Sequence, residues 1–264
     1  MTNVIKEIKN LTVTEPRENK HTGKLSSYLL ENGEPFYLST PYLKNPFGLK
    51  KYGDGTNENN THSLNISAVS QKEEEKELVN KFFMSCNTIQ EALIVFGLKY
   101  SKKIFGKEYK AGTHEAVVEA LCTQIIKKSD DKDGNPYPDR ITAKIKPDYD
   151  NPTRPNLKVY TTSKDNINTE DFTFNDLVEL IQPGTFVKLI LQPHLWFING
   201  KFGVSFKVIQ LKIAPNKKKQ KLTSYAFSDD EESEDDDMNE GTAENDDEEE
   251  QDDDDNEVEE INTV

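Results

Sequence analysis

The chain has 264 residues, enough for one sizeable domain with additional segments, and carries a formal net charge of −15. Residues 228–264 contain 22 acidic residues and no lysine or arginine, which leaves residues 1–227 with a net charge of +7. No N-terminal apolar segment and no run of about 18 apolar residues occurs, so we expect neither secretion nor a membrane span. The widely separated Cys86 and Cys122 indicate a reducing, intracellular compartment and no metal site.

The first 40 residues have the composition of short strands, with a hairpin turn at Asn32-Gly33. Residues 40–52 contain two prolines and a glycine, which predicts a segment without regular structure. In this segment aromatic rings alternate with lysines, a pattern typical of nucleic-acid-binding loops. The alternative is an ordinary surface loop anchored by its aromatics. The candidate DNA-binding residues here are Tyr42, Lys44, Phe47, Lys50 and Lys51.

A strand is predicted at 62–69, followed by a helix over residues 72–100. Apolar residues recur in this helix at steps of three or four, which predicts a face packed on the core. The members of that face are Leu78, Phe82, Cys86, Ile89, Leu93 and Phe96. A shorter helix is predicted from Thr113, a candidate N-cap, to about Gln124. The longer of these two helices carries no residues that indicate chemistry.

The next predicted strands are 124–128, 140–146 and 157–161, and a helical segment follows at 171–181. In the strand at 140–146, apolar residues alternate with basic or polar ones, so one face is basic. Lys144 and Lys146 are candidate phosphate contacts on that face; a merely solvated face is the alternative.

Residues 185–213 form the longest run of β-branched and aromatic residues, with Asn199-Gly200 at its centre. This dipeptide predicts a type I′ turn that pairs Trp196 with Gly203 and His194 with Ser205. One face of the hairpin is then apolar, and the other carries Trp196 among polar and basic side chains. A ring opposite a glycine and beside cations suits base stacking; packing of Trp196 under a loop is the alternative. The candidate DNA-binding residues of the hairpin are Lys188, His194, Trp196, Lys201 and Lys207.

After Val208 the apolar residues change phase, which predicts a β-bulge. Pro193 has no N–H for a ladder and belongs on an edge or at a bend. The predicted fold class is therefore mainly β with helical insertions, an antiparallel barrel of the oligonucleotide/oligosaccharide-binding (OB) type. The predicted domains are a body at 1–214, a basic linker at 215–227 and a disordered acidic tail at 228–264.

No constellation of catalytic residues is found, and the chain contains no Walker A loop, GxGxxG, HExxH or GxSxG motif. The acidic run at 130–134 lacks the downstream glutamate of a calcium loop. We therefore predict a protein that is not an enzyme and that has no cofactor and no metal.

Four strings carry a resemblance to a known family: TPYLKNPFGLKKY (40–52), IFGKEY (104–109), QIIKKSDDKDGNPYPDRITAKI (124–145) and LQPHLWFINGKFGVSFKVIQLKI (191–213). With them the chain, from about residue 25 to 213, resembles the single-stranded DNA-binding proteins of nucleocytoplasmic large DNA viruses. A looser likeness is to the single-stranded DNA-binding proteins of short-tailed phages, which pair an OB body with an acidic tail. The resemblance implies an OB core and sequence-independent single-strand binding in replication, recombination or repair. A tail-tip aromatic contact is not carried over, because residues 261–264 contain no aromatic.

The leading hypothesis is a viral single-stranded DNA-binding protein whose acidic tail mimics nucleic acid and contacts replication proteins such as the polymerase. The expected location is a cytoplasmic viral factory or the host nucleus, and self-association stays open. The rival is an acidic-tailed, histone-chaperone-like or other interaction protein with the body as scaffold. A third hypothesis is binding of duplex or RNA.

Overall fold

The computed structural model describes residues 8, 10–21, 23–51, 61–161, 166–167 and 170–214. All of them belong to the first of the two units into which the chain divides, Met1–Lys218. The predicted linker and acidic tail lie outside the described residues, as does Tyr52. Among the described residues, no helix is long and apolar enough to cross a membrane.

Short strands precede the first helix, and two long strands end the described part of the chain. The strands are β1 Leu11–Val13, β2 Arg17–Glu18, β3 Leu25–Ser26, β4 Leu29–Glu31, β5 Glu34–Pro35, β6 Leu38–Ser39, β7 Leu43–Lys44, β8 Leu49–Lys51, β9 His62–Ser70, β10 Arg140–Ile145, β11 Lys158–Tyr160, β12 Phe186–Ile198 and β13 Lys201–Ile213. The helices are α1 Lys76–Lys99, α2 Ser101–Phe105, α3 Glu115–Leu121 and α4 Phe174–Leu180, with a 3₁₀ turn at Glu73–Glu75. The mainly β class with helical insertions is confirmed.

The hairpin β12–β13 forms as predicted from its turn. Asn199 and Gly200 have φ values of 51° and 72°, the left-handed conformations that a type I′ turn requires. Trp196 lies opposite Gly203, as expected. The hairpin turn predicted at Asn32-Gly33 is also confirmed, between β4 and β5.

The predicted bulge is present in the same hairpin. Leu191 pairs with Val208 and Ile190 with Gln210, so Ile209 is the extra residue of β13. The fully buried positions of β13 therefore step by three here, from Val208 to Leu211. The extra residue explains why the apolar pattern changes phase.

The strand pairings form a closed circuit: β13 with β10, β10 with β9, β9 with β7, β7 with β12, and β12 with β13. The prediction that the sheet is antiparallel throughout is wrong, because β13 runs parallel to both β10 and β11. Alternation of side chains gives the faces of a strand but not its direction. The parallel pair β10–β13 is joined by a long crossover that includes α4 and β12.

The apolar face predicted for the long helix packs on the core, and all its members except the half-buried Leu78 are buried. Gly97 of α1 allows the ring of Phe202 to approach closely, since a Cβ atom built on Gly97 would lie 2.6 Å from Phe202 Cζ. Helix α1 therefore holds the core face of the hairpin.

Three predicted elements differ from the structure. Residues 40–52 contain the short strands β7 and β8, which form because β12 and β9 supply their hydrogen-bond partners. Residues 124–128 form only the isolated bridge of Lys127 with Arg140. The N-cap of α3 is His114 rather than Thr113.

Candidate nucleic-acid interface

A row of polar and basic side chains crosses the sheet on the face opposite the core. Successive strand pairings place Gln192 opposite Lys207, Lys207 beside Lys144, Lys144 opposite Ser63, and Ser63 opposite Lys50. Residues in register on neighbouring strands point to the same face, so the three lysines share one surface. We call these five residues the basic row.

A groove of about 410 Å³ runs beside the basic row. Its walls combine the outward side chains of the hairpin and of β10 with residues 123–127, which run alongside the start of β13. The lining includes four predicted site residues: Lys144, Lys146, His194 and Trp196.

Trp196 is half-buried, and its indole ring lies against the backbone of Gly203. A Cβ atom built on Gly203 would lie 3.0 Å from Trp196 Cζ2 and 3.1 Å from Thr123 Cβ. Because Gly203 has no side chain, the indole ring can lie against its backbone, and the same ring lines the groove. The ring is therefore packed against Gly203 of β13 and also lines the groove, and base stacking on it stays a prediction.

Phe47 lies toward the Lys50 end of the basic row, and its ring is 41% exposed. Lys50 Nζ lies 5.3 Å and Arg140 Cζ 5.5 Å from the ring centroid. Arg140 is in register with Ser67, which is itself in register with Lys44. This end of the surface therefore combines an exposed ring with three basic residues.

The centre of the surface concentrates positive charge. Burial, and then the charge of Lys146, lower the pKa of His194 and also the pKa of Lys207. A bound anion offsets the repulsion between neighbouring cationic groups, and a phosphate is such an anion. Lys146 therefore acts electrostatically on both His194 and Lys207.

Lys188 and Tyr42 belong to a separate cluster. Lys188 is opposite Lys212, which is in register with Tyr160. Burial lowers the pKa of Lys188. The nearby Glu75 raises this pKa in part, and Lys212 lowers it further. Burial, and then Glu75, raise the pKa of Tyr42. Glu75 therefore acts electrostatically on both Tyr42 and Lys188, and their role in DNA binding stays a prediction.

Two other predicted residues lie apart from the basic row. Lys201 is exposed at the tip of the hairpin, opposite Ile198. Lys51 is in register with the buried His62, so it points to the other face from Lys50.

The sequence pattern did not identify Arg140 and Lys127 as site residues. The alternation of side chains along residues 140–146 puts Arg140 on the same basic face as Lys144, and this pattern could have identified it. Its position beside Phe47 depends on the pairing of β10 with β9, which brings together segments distant in sequence. Lys127 is placed in the groove by its bridge to Arg140.

The described residues contain no cluster of three or more histidine, cysteine or acidic side chains able to hold a metal ion. Burial raises the pKa of the Cys86 thiol to about 12 and that of Cys122 to about 11. Gln90 Nε2 donates a hydrogen bond to Cys122 Sγ at 3.1 Å. Both thiols are therefore structural rather than nucleophilic.

No family model and no curated protein matches the chain. Among solved structures it is similar to the single-stranded DNA-binding protein from bacteriophage Enc34 in complex with ssDNA, with a TM-score of 0.42 and 13% identity over 78% of this chain and 95% of that one. It is also similar to gp2.5, a single-stranded DNA-binding protein encoded by bacteriophage T7, with a TM-score of 0.41 and 12% identity over 75% of this chain and 98% of that one. Both of these proteins are single-stranded DNA-binding proteins of bacteriophages. The family of large DNA viruses is not confirmed by these comparisons.

Proposed function

We propose that the chain binds single-stranded DNA without sequence preference. The observation that carries the proposal is the convergence, on one face of the sheet, of the basic row with two accessible rings, Trp196 and Phe47. A single strand offers phosphates and unpaired bases together, and this face offers a partner for each.

In this proposal Lys50, Lys144 and Lys207 neutralise phosphates, and the two rings stack bases. Stacking tolerates any base because every base has a π-face. On this face the Thr142 hydroxyl already donates to Asn65 Oδ1, at 2.8 Å. Stacking and phosphate contacts account for binding here without hydrogen bonds to base edges.

The fold proposed for this body is an OB-type barrel. The closed circuit of five strands supports it, because closure gives a curved outer surface along which a strand can be bound. We assign the body to residues 1–214, with the linker at 215–227 and the tail at 228–264.

We further propose a role in replication, recombination and repair of viral DNA, in a cytoplasmic viral factory or the host nucleus, and a non-enzymatic mode of action. The acidic tail is proposed to mimic nucleic acid and to contact basic surfaces of replication proteins such as the polymerase. The alternative of an acidic-tailed interaction protein explains the tail equally well. It supplies no reason for lysines in a row beside exposed rings.

The test uses Trp196, the only tryptophan of the chain. Oligo-dT, a duplex of equal length and oligo-rU are titrated into the full-length protein, and tryptophan fluorescence is followed at two salt concentrations. We expect quenching by oligo-dT that weakens as salt rises, because neutralised phosphates release counterions. Absence of any binding, with and without the tail, would overturn the proposal and favour the interaction protein. Stronger binding of duplex or RNA would change the proposed ligand.

A further inference from the structure

An exposed tyrosine stands at the far end of the basic row. Tyr37 directly precedes β6, and its side chain is 56% exposed. Its neighbours Phe36 and Leu38 are 8% and 5% exposed and provide the packing of this segment. The ring of Tyr37 is therefore not needed to fill the core.

The register of β6 places Tyr37 on the face of the basic row. Leu38 is opposite Leu191, and both are buried on the core side. Continued by one residue, this register sets Tyr37 opposite Gln192, and alternation along the strand turns its exposed side chain to the other face. Gln192 is the end of the basic row on β12, so Tyr37 extends the row by one strand.

The extended row passes from Lys50 on β8 across β9, β10, β13 and β12 to the start of β6. Five steps between neighbouring strands of about 4.8 Å give a length of roughly 24 Å along the sheet. One exposed ring stands at each end, Phe47 beside Lys50 and Tyr37 beside Gln192, with Lys144 and Lys207 between them.

We infer that the single strand crosses the sheet along this row, transverse to the β-strands, and that Tyr37 stacks a base at the end opposite Phe47. The inference rests on the proposed function and adds both a path and a binding residue to it. A path along the hairpin would instead lead to its tip, where Lys201 lies.

The first test compares Tyr37→Ala, Tyr37→Phe and the control Tyr28→Ala, since Tyr28 is 64% exposed and precedes β4 in a separate three-stranded sheet. Binding of a 16-nucleotide oligo-dT is measured by anisotropy, and thermal unfolding verifies that each variant is folded. We expect Tyr37→Ala to weaken binding about fivefold or more, the loss that corresponds to one stacked base. Tyr37→Phe and Tyr28→Ala should bind within about twofold of the unchanged protein, since stacking needs the ring alone.

The second test distinguishes the two paths with a matched pair of exposed lysines. Lys50→Ala should reduce the slope of log affinity against log salt by about 0.7, the value for one phosphate contact with a single strand, and Lys201→Ala should leave it unchanged. If the unchanged protein binds oligo-dT but Tyr37→Ala is neutral, or the two lysines exchange their effects, the path is wrong while the proposed function stands. If the unchanged protein does not bind, both fail.

Discussion

At the scale of single residues, the packing of the Trp196 ring against Gly203 can be tested in a variant that keeps the ring. Gly203→Ala would place a methyl group about 3.0 Å from the Trp196 ring and close to Thr123. The ring or Thr123 must move by a few tenths of an ångström, so we expect the emission of the free protein to change and oligo-dT affinity to fall by less than in Trp196→Ala. Trp196→Phe keeps a stacking surface and should bind better than Trp196→Ala. Equal affinities of these two would show that the ring is only a packing element.

A second residue-scale prediction concerns His194. Desolvation and the charge of Lys146 lower its pKa in the free protein, with Lys207 and Lys144 on the adjoining strands. A bound phosphate would raise that pKa, and a ligand that raises a pKa binds more tightly as the pH falls. We therefore expect oligo-dT affinity to increase between about pH 8 and about pH 5.5. His194→Gln should remove most of this dependence; a persistent slope would assign it to another group.

Gly97 provides a residue-scale test of the helix that supports the hairpin. Gly97→Ala would bring Cβ to 2.6 Å from Phe202 Cζ and 2.7 Å from Val118 Cγ1. Overpacking of this kind costs about 1–3 kcal/mol, which outweighs the gain of up to about 1 kcal/mol in helix propensity. Denaturant unfolding should show a net loss of stability, whereas Asn87→Ala, at an exposed position of the same helix, should be neutral or stabilising.

At the scale of elements, the bulge of β13 determines which side chains of the strand reach the core. Deleting Ile209 would restore strict alternation and leave Gln210, Leu211 and Lys212 opposite their present partners on β12. Leu211 stays buried in such a variant, so the deletion should destabilise the protein less than Leu211→Ala, which should cost about 2–5 kcal/mol. A deletion that costs as much as Leu211→Ala in denaturant unfolding would show that the bend at the bulge is itself required for packing.

An element could be predicted from the sequence when the residues that determine it lie within one segment of the chain. The hairpin was predicted to the individual pair because its turn dipeptide and its alternation lie within one segment. Strands β7 and β8 were missed because their hydrogen-bond partners lie on β12 and β9, and prolines at 41 and 46 argued against strands there. The same limit applies to the site. Trp196 and Lys207 follow from the hairpin alone, whereas the approach of Arg140 to Phe47 follows from the pairing of distant strands.

At the scale of the whole molecule, the fold gathers residues from three distant segments onto one basic face. Lys50, Lys144 and Lys207 are separated by up to 157 positions in sequence and share this face through the strand register. The net charge of −15 conceals this face, because the 22 acidic residues of the tail outweigh the +7 of residues 1–227. The two opposite charges on one chain are the basis of the last prediction.

Removing residues 228–264 should raise the affinity for oligo-dT at low salt, because a tethered polyanion competes with phosphates for cationic side chains. The difference between full-length and truncated protein should shrink as salt rises, since screening weakens both the competitor and the ligand. The matched control replaces every aspartate and glutamate of the tail by asparagine and glutamine, which keeps its length and removes its charge. This control should behave like the truncated protein. Equal affinities of the full-length and truncated proteins at low salt would contradict the competitor role, and would leave contact with basic partner proteins as the function of the tail.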